Sequence, residues 1–232
     1  MPRIQRSQSV QYSAASSRQK ADIIFVVDRS YSMSDCIEGV KDHIVNFVGG
    51  LEADQQVRID WRLGLVAADN STFSVFDFTD NARAFQRAVG KIGLAGNECM
   101  PPALDLAADF NWRDRVHKAI VFFTDEPMNG GTNVSKVRDG IPALRDKLTR
   151  LKVELYAFTP DCPDYLALTN NLPRSKHRLD EDFDADSFGE LLGTIGKSVS
   201  RSVSQGKQNI STVNQLTPVY DLRQLDITVE QL

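Results

Sequence analysis

A single apolar run near the start of the chain constrains the fold more than any other feature. Residues 21–28 read ADIIFVVD, almost continuously apolar and rich in β-branched side chains. This pattern is typical of a strand buried on both faces of a parallel sheet, since a solvated face would require alternating polar residues. The runs at 117–125 (HKAIVFFTD) and 153–159 (VELYAFT) predict further buried strands of the same kind.

Segments with apolar residues at helical spacing separate these strands. They predict helices over about 37–51, 81–92, 102–110, 134–151 and 164–170, with a last helix containing Phe188 and Val199. Gly140 and Pro142 predict a kink or a broken start in the fourth of these helices.

Three further segments complete the predicted sheet. Residues 57–67 and 72–78 predict a β-hairpin, and residues 177–179 predict a short strand. We therefore expect a doubly wound, Rossmann-like α/β fold with a mostly parallel six-stranded sheet, one antiparallel edge strand and helices on both faces.

The 232 residues suit one domain flanked by two tails. Residues 1–20 lack hydrophobic periodicity and are rich in Ser, Gln and Arg, which predicts a disordered leader. The domain is expected over 21–204. Residues 205–232 are predicted to be a C-terminal tail that either adds a strand to the domain or serves as a docking segment for a partner.

Charge and hydropathy exclude some partners. The net charge of −4 and the lack of a basic block argue against nucleic acid as a partner. The longest apolar runs have the length of a strand, and the N-terminus lacks the apolar core of a signal peptide, so we expect a cytoplasmic protein without a membrane partner.

The first predicted strand leads directly into a polar sequence, Asp28-Arg29-Ser30-Tyr31-Ser32. In a parallel α/β sheet, ligands bind beyond the carboxyl ends of the strands, where this D-x-S-x-S sequence is expected to lie. One carboxylate and two hydroxyls form an oxygen-only ligand set suited to a hard divalent cation. Mg²⁺ is the first candidate, with Mn²⁺ or Ca²⁺ as alternatives.

A strand followed by D-x-S-x-S and a helix resembles the metal-ion-dependent adhesion site of von Willebrand factor A domains. The resemblance covers about residues 20–203 and includes two later loops. The loop at 96–104 (GNECMPPAL) places Glu98 where the family has a threonine, and the loop at 123–127 (FTDEP) supplies a matching Asp125. The resemblance therefore implies a metal site made of Asp28, Ser30, Ser32, Glu98 and Asp125.

Two residues depart from the family pattern. Tyr31 replaces the usual glycine between the two serines, and its phenol is expected on the rim where a partner would dock. Glu98 adds a third carboxylate, which would overcompensate the charge of one divalent cation. Glu98 is a direct ligand, a ligand through water, or a built-in group that closes the site. We expect the neighbouring Arg29 to be solvated.

The resemblance implies a non-enzymatic protein-binding module, in which the cation accepts a carboxylate from a partner protein. Family members of this intracellular kind act as scaffolds or regulators in multi-protein systems, including bacterial stress responses. A metal-free interaction domain is one alternative. The other is a Mg²⁺-dependent phosphotransferase or phosphatase with Asp28 as nucleophile. It is disfavoured because many such enzymes have a second aspartate at the position that Ser30 occupies.

Overall fold

The computed structural model describes residues 19–53, 58–97, 100–128, 133–179, 185–205 and 212–232. Within these ranges the chain forms one seven-stranded sheet with the strand order β6-β5-β4-β1-β2-β3-β7. The strands are β1 (Gln19–Asp28), β2 (Ile59–Ala68), β3 (Thr72–Thr79), β4 (His117–Phe123), β5 (Glu154–Thr159), β6 (Ser175–Leu179) and β7 (Thr228–Gln231).

Six α-helices cover the two faces of the sheet in the described part of the chain. They are α1 (Ser34–Leu51), α2 (Ala82–Val89), α3 (Met100–Ala108), α4 (Val134–Leu151), α5 (Pro163–Thr169) and α6 (Ala185–Gln205). Helices α1, α2 and α6 share one hydrophobic cluster with the sheet, whereas α3, α4 and α5 share the other. Strand β1 supplies both clusters, because its buried side chains alternate between the two faces.

The doubly wound α/β class predicted from the sequence is confirmed, with two differences in the sheet. The expected six strands are seven, because residues 228–231 form β7. Strand β3 is antiparallel to β2, as the hairpin predicted, but it does not form the edge, since β7 pairs with it in parallel on its outer side. All four residues of β7 are exposed, so no burial pattern marked them as a strand.

The C-terminal tail is bound to the face of the domain that carries α3 and α4. Tyr220 is buried, its hydroxyl donates to the carbonyl of Val137 at 2.9 Å, and its backbone amide donates to Asp105 at 2.9 Å. Asp105 is also paired with the buried Lys147 at 2.6 Å. The tail thus packs on the domain and adds strand β7 to its sheet.

Gly140 makes this packing possible. A Cβ atom at this position would lie 2.4 Å from the Tyr220 ring, too close for any side chain to fit without displacing the tail. Helix α4 begins at Val134 and runs through both Gly140 and Pro142 to Leu151, so the broken start predicted as one possibility does not occur. The glycine provides space for the tail.

The strand order predicts a crevice at the carboxyl end of β1. Strand β1 lies between β2 and β4, and it is parallel to both. From β1 the chain continues to β2 and β3 on one side of the sheet, and it then crosses to β4, β5 and β6 on the other side. At such a switch point the segments that follow the two adjacent strands, here β1 and β4, leave on opposite faces of the sheet. Among the described residues, no helix is long and apolar enough to cross a membrane.

Candidate metal site

Asp28 is the last residue of β1, and its side chain is fully buried. Its Oδ1 accepts a hydrogen bond of 2.7 Å from the backbone amide of Ser30, and its Oδ2 accepts one of 2.8 Å from the hydroxyl of Thr124. These two bonds hold the carboxylate in one orientation between β1 and the loop that follows β4.

Hydroxyl groups surround this carboxylate. The Oγ atoms of Ser30 and Ser32 lie 3.1 Å apart, so the two predicted serine ligands are brought together. Thr124 adds a third hydroxyl from the neighbouring strand end. Thr124 was not among the predicted site residues, although its position directly before Asp125 was the signal that could have identified it.

Asp125 completes the described part of the site. Its Oδ1 atom is buried and accepts no hydrogen bond from the residues that the structure describes. A buried carboxylate oxygen without a donor is costly to desolvate, and such atoms are normally paired with a proton donor or a cation. Asp125 follows Thr124, whose hydroxyl binds Asp28, so both aspartates stand at the same edge of the sheet, and the charge of Asp125 helps to raise the pKa of Asp28.

The electrostatics of the site oppose the ionised form of Asp28. Burial raises the pKa of Asp28 to about 6, and the nearby Asp125 contributes to the increase, whereas the hydrogen bonds from Ser30 and Thr124 act against it. Burial and the same two aspartates raise the pKa of the Cys36 thiol well above its usual range. A positive charge in this crevice would relieve the repulsion between the carboxylates.

The start of the predicted Glu98 loop lies beside the D-x-S-x-S segment. Ala95 forms a parallel β-bridge with Ser30, and its amide donates to the carbonyl of Arg29 at 2.9 Å. The amide of Asn70 donates to the carbonyl of Asn97 at 2.8 Å, which anchors the end of this loop to the β2–β3 turn. The predicted ligand Glu98 lies outside the described residues, so its role stays a prediction.

The described residues fit a divalent cation through oxygen atoms. They contain no group of three or more His, Cys, Asp or Glu side chains that could hold a metal. A site here therefore rests on two carboxylates, Asp28 and Asp125, completed by the hydroxyls of Ser30, Ser32 and Thr124. Such a set suits Mg²⁺, which binds through few carboxylates and keeps several of its waters.

The expectation that Arg29 is solvated was wrong. Its side chain is 11% exposed and forms an ion pair with Asp69 at 2.7 Å. Its Nη1 also donates to the hydroxyl of Ser74 at 3.0 Å. Both partners follow β2, and they lie 40 and 45 positions further along the chain, so no local pattern indicated them.

Two apolar side chains form the rim of the site. Tyr31 is 70% exposed, which agrees with its expected place on the rim, and Leu94 is 39% exposed. The two residues adjoin Ser30 and Ala95, which the β-bridge joins. Exposed apolar side chains beside a polar site are a common feature of surfaces that bind other proteins.

The fold and the site define a class of protein. A doubly wound sheet that places D-x-S-x-S at the end of β1 and T-D after β4 forms an α/β domain with an oxygen-lined crevice. Residues 23–128 match the model of the family described as von Willebrand factor type A domain. This segment contains all of the described site residues, from Asp28 to Asp125. This part of the chain is therefore similar to von Willebrand factor type A domains.

Solved structures show the same fold. A von Willebrand factor type A protein from Catenulispora acidiphila matches with a TM-score of 0.62 and 12% identity, over 78% of this chain and 43% of that one. Proximal thread matrix protein 1 from the mussel byssus matches with a TM-score of 0.56 and 14% identity, over 78% of this chain and 46% of that one. The chain thus spans less than half the length of these two proteins.

The VWA domain of SpRpn10 matches with a TM-score of 0.58 and 14% identity, over 76% of this chain and 97% of that domain. The comparison with curated protein sequences gave no match. At these identities the solved structures establish the fold of the chain, and domains of this family generally mediate interactions between proteins.

Proposed function

We propose that this domain is a non-enzymatic protein-binding module that holds a divalent cation, with Mg²⁺ as the first candidate, at the carboxyl end of β1. The observation that carries the proposal is the buried Oδ1 of Asp125, which has no hydrogen-bond donor among the described residues and lies close enough to raise the pKa of Asp28. A cation bound by Asp28, Asp125 and the nearby hydroxyls would satisfy this oxygen. When bound, it would supply an open coordination position for a carboxylate of the partner.

The position of Asp28 supports a ligand role over a nucleophile role. Its side chain is fully buried, and both of its oxygens already accept hydrogen bonds, from Ser30 and from Thr124. A carboxylate that attacks a phosphoryl group needs open access to a bulky substrate, whereas a cation is small enough to reach the lone pair that a single hydrogen bond leaves on each oxygen. The phosphotransferase alternative therefore has less support than the binding module, which acts as a scaffold or regulator in a larger assembly.

The rim of the site indicates the kind of partner. The guanidinium of Arg29 is paired within the domain, with Asp69 at 2.7 Å, so it does not serve as a cationic contact. The exposed side chains of Tyr31 and Leu94 offer apolar contact instead. We therefore propose that the partner presents an acidic side chain next to an apolar one, so that the carboxylate reaches the cation while the apolar group packs on the rim.

Calorimetric titration of Mg²⁺, Mn²⁺ and Ca²⁺ into metal-stripped protein tests the cation site. Saturable binding to one site is expected, because the carboxylates and hydroxyls are already assembled. The Asp35→Asn variant provides a control, since Asp35 is an exposed carboxylate in the first turn of α1. This variant should bind like the wild type. If no cation binds to the wild type, a metal-free interaction domain becomes the better interpretation.

Selection from a displayed peptide library tests the partner proposal. Peptides captured in Mg²⁺ and released by EDTA are expected to share an Asp or Glu beside an apolar residue. The Tyr31→Ala variant should bind these peptides roughly tenfold more weakly, the loss typical of an interface aromatic. Its affinity for Mg²⁺ should not change, since the phenol is 70% exposed. Enrichment of peptides without a carboxylate would contradict the proposal.

A further inference from the structure

A network of hydrogen bonds leads away from the metal-site loop through Arg29, which lies between the candidate ligands Asp28 and Ser30. The Nε and Nη2 atoms of Arg29 donate to Oδ2 of Asp69 at 2.9 and 2.7 Å. Its Nη1 donates to the hydroxyl of Ser74 at 3.0 Å. The orientation of this loop is therefore tied to the turn after β2 and to the start of β3.

The network continues into the C-terminal strand. The hydroxyl of Ser74 donates to Oε1 of Glu230 at 2.6 Å, and the same oxygen lies 3.6 Å from Nη1 of Arg29. Ser74 and Glu230 are direct partners in the β3–β7 register, which places both side chains on one face of the sheet. Strand β7 therefore brings a carboxylate to the arginine between two candidate ligands.

The β2–β3 turn connects β7 to Arg29 by a second route. Oδ1 of Asp69 accepts hydrogen bonds from the amides of Ser71 and Thr72, both at 2.6 Å. The carbonyl of Ser71 in turn accepts a bond of 2.8 Å from the amide of Thr228, the first residue of β7. Although burial would raise the pKa of Asp69, the hydrogen bonds from Ser71, Arg29 and Thr72 lower it, so this turn keeps a charged partner for Arg29.

We infer that Glu230 is a positioning residue for the cation site, so that docking of the C-terminal strand and binding of the cation are coupled. A cation fixes the loop from Asp28 to Ser32. The entropic cost of ordering this loop is smaller when the Arg29 side chain is already held by Asp69 and Glu230. Coupling of this kind is reciprocal, so a bound cation must also stabilise the docked strand. The inference rests on the proposed cation site.

The affinity of the full chain for Mn²⁺ tests the first direction of the coupling. Glu230→Ala is expected to weaken Mn²⁺ binding by roughly fivefold, within the range found for coupling between sites in contact through such networks. Glu230→Gln can still accept the hydrogen bond from Ser74 and should remain within about twofold of the wild type, given the modest worth of a partly exposed ion pair. Gln231→Ala, an exposed residue of the same strand, is the matched control and should bind Mn²⁺ like the wild type.

Hydrogen exchange at the C-terminal strand tests the reciprocal direction. Saturating Mg²⁺ should slow the exchange of amides in residues 228–232 by roughly fivefold in the wild type, and this protection should be lost in Glu230→Ala. A Glu230→Ala protein that binds Mn²⁺ as tightly as Gln231→Ala, or wild-type exchange that Mg²⁺ leaves unchanged, would overturn the inference while leaving the cation site intact. A wild type that binds no cation would overturn the proposed function as well.

Discussion

Replacing Asp28 by asparagine is expected to abolish cation binding and, at the same time, to stabilise the metal-free domain. The carboxylate is fully buried, and burial raises its pKa to about 6. In the absence of a cation, its ionised form therefore destabilises the fold at neutral pH. Raising the pKa of a carboxyl from about 4 to about 6 corresponds to a loss of at most about 3 kcal/mol in the free energy of unfolding at neutral pH. We therefore expect the neutral amide to raise the free energy of unfolding by about 1–3 kcal/mol.

The sign of this effect depends on pH. The pKa of Asp28 in the folded state is about 6, above the ordinary value of 3.8 that applies to the unfolded chain. Well below pH 3.8 both states bear the proton and no penalty exists. Between pH 4 and pH 6 the unfolded chain ionises before the folded one, so the free energy of unfolding of the wild type falls as the pH rises. The advantage of Asp28→Asn should therefore be full at pH 7 and nearly absent at pH 4.

Urea unfolding in EDTA at both pH values measures this difference. Mg²⁺ at about 1,000 times its Kd should reverse the order at pH 7, since it stabilises the wild type by about 4.1 kcal/mol and does not bind the variant. Asp35→Asn makes the same change in charge outside the site and should show neither effect. If Asp28→Asn is less stable than the wild type in EDTA at pH 7, the hydrogen bonds from Ser30 and Thr124 outweigh the cost of burying the charge.

The sequence predicted those parts of the fold and site whose signal is local. Strands β1, β4 and β5 are buried along most of their length, so their continuous apolar runs located them within two residues. Because Asp28 and Asp125 stand at the ends of two such strands, their place at one edge of the sheet followed from the topology. The packing of β1 against β4 then brought them into one crevice.

The remaining parts depend on contacts between residues far apart in the chain. Thr124 reaches Asp28 across 96 positions, and Glu230 reaches Ser74 across 156. Neither the exposed residues of β7 nor the charge of Arg29 carries a pattern that indicates such a partner. Gly140 was interpreted as a defect of its helix for the same reason, since the ring that needs its space belongs to Tyr220.

Substitution of Tyr220 by alanine is expected to cost about 3–5 kcal/mol of unfolding free energy, the range for truncation of a buried aromatic residue. The ring is buried between the tail and α4. Loss of its hydroxyl would also remove the hydrogen bond that it donates to the carbonyl of Val137. Asp105, which accepts from the amides of Val219 and Tyr220 at 2.7 and 2.9 Å, holds the backbone of the tail in place. Displacing the Tyr220 side chain would therefore require breaking these backbone hydrogen bonds.

A double-mutant cycle with Gly140 shows whether this contact is the reason for the glycine. In the wild type, Gly140→Ala should destabilise the protein by about 1–3 kcal/mol, because the new methyl group would lie 2.4 Å from the anchored ring. In the Tyr220→Ala background the same substitution meets no ring, and the higher helix propensity of alanine should stabilise the protein by up to about 1 kcal/mol. The sign of the effect therefore reverses.

Gly49→Ala is the matched control for this cycle. Gly49 lies in α1, and a Cβ atom there would meet nothing within 4 Å. Its substitution should stabilise the wild type and Tyr220→Ala equally, since the two sites share no partner. If the effects of Gly140→Ala and Tyr220→Ala prove additive, the tail is not held against α4 through this ring. Non-additivity with the reversed sign would instead establish that residues 212–232 fold as part of the domain, which the coupling of β7 to the cation site requires.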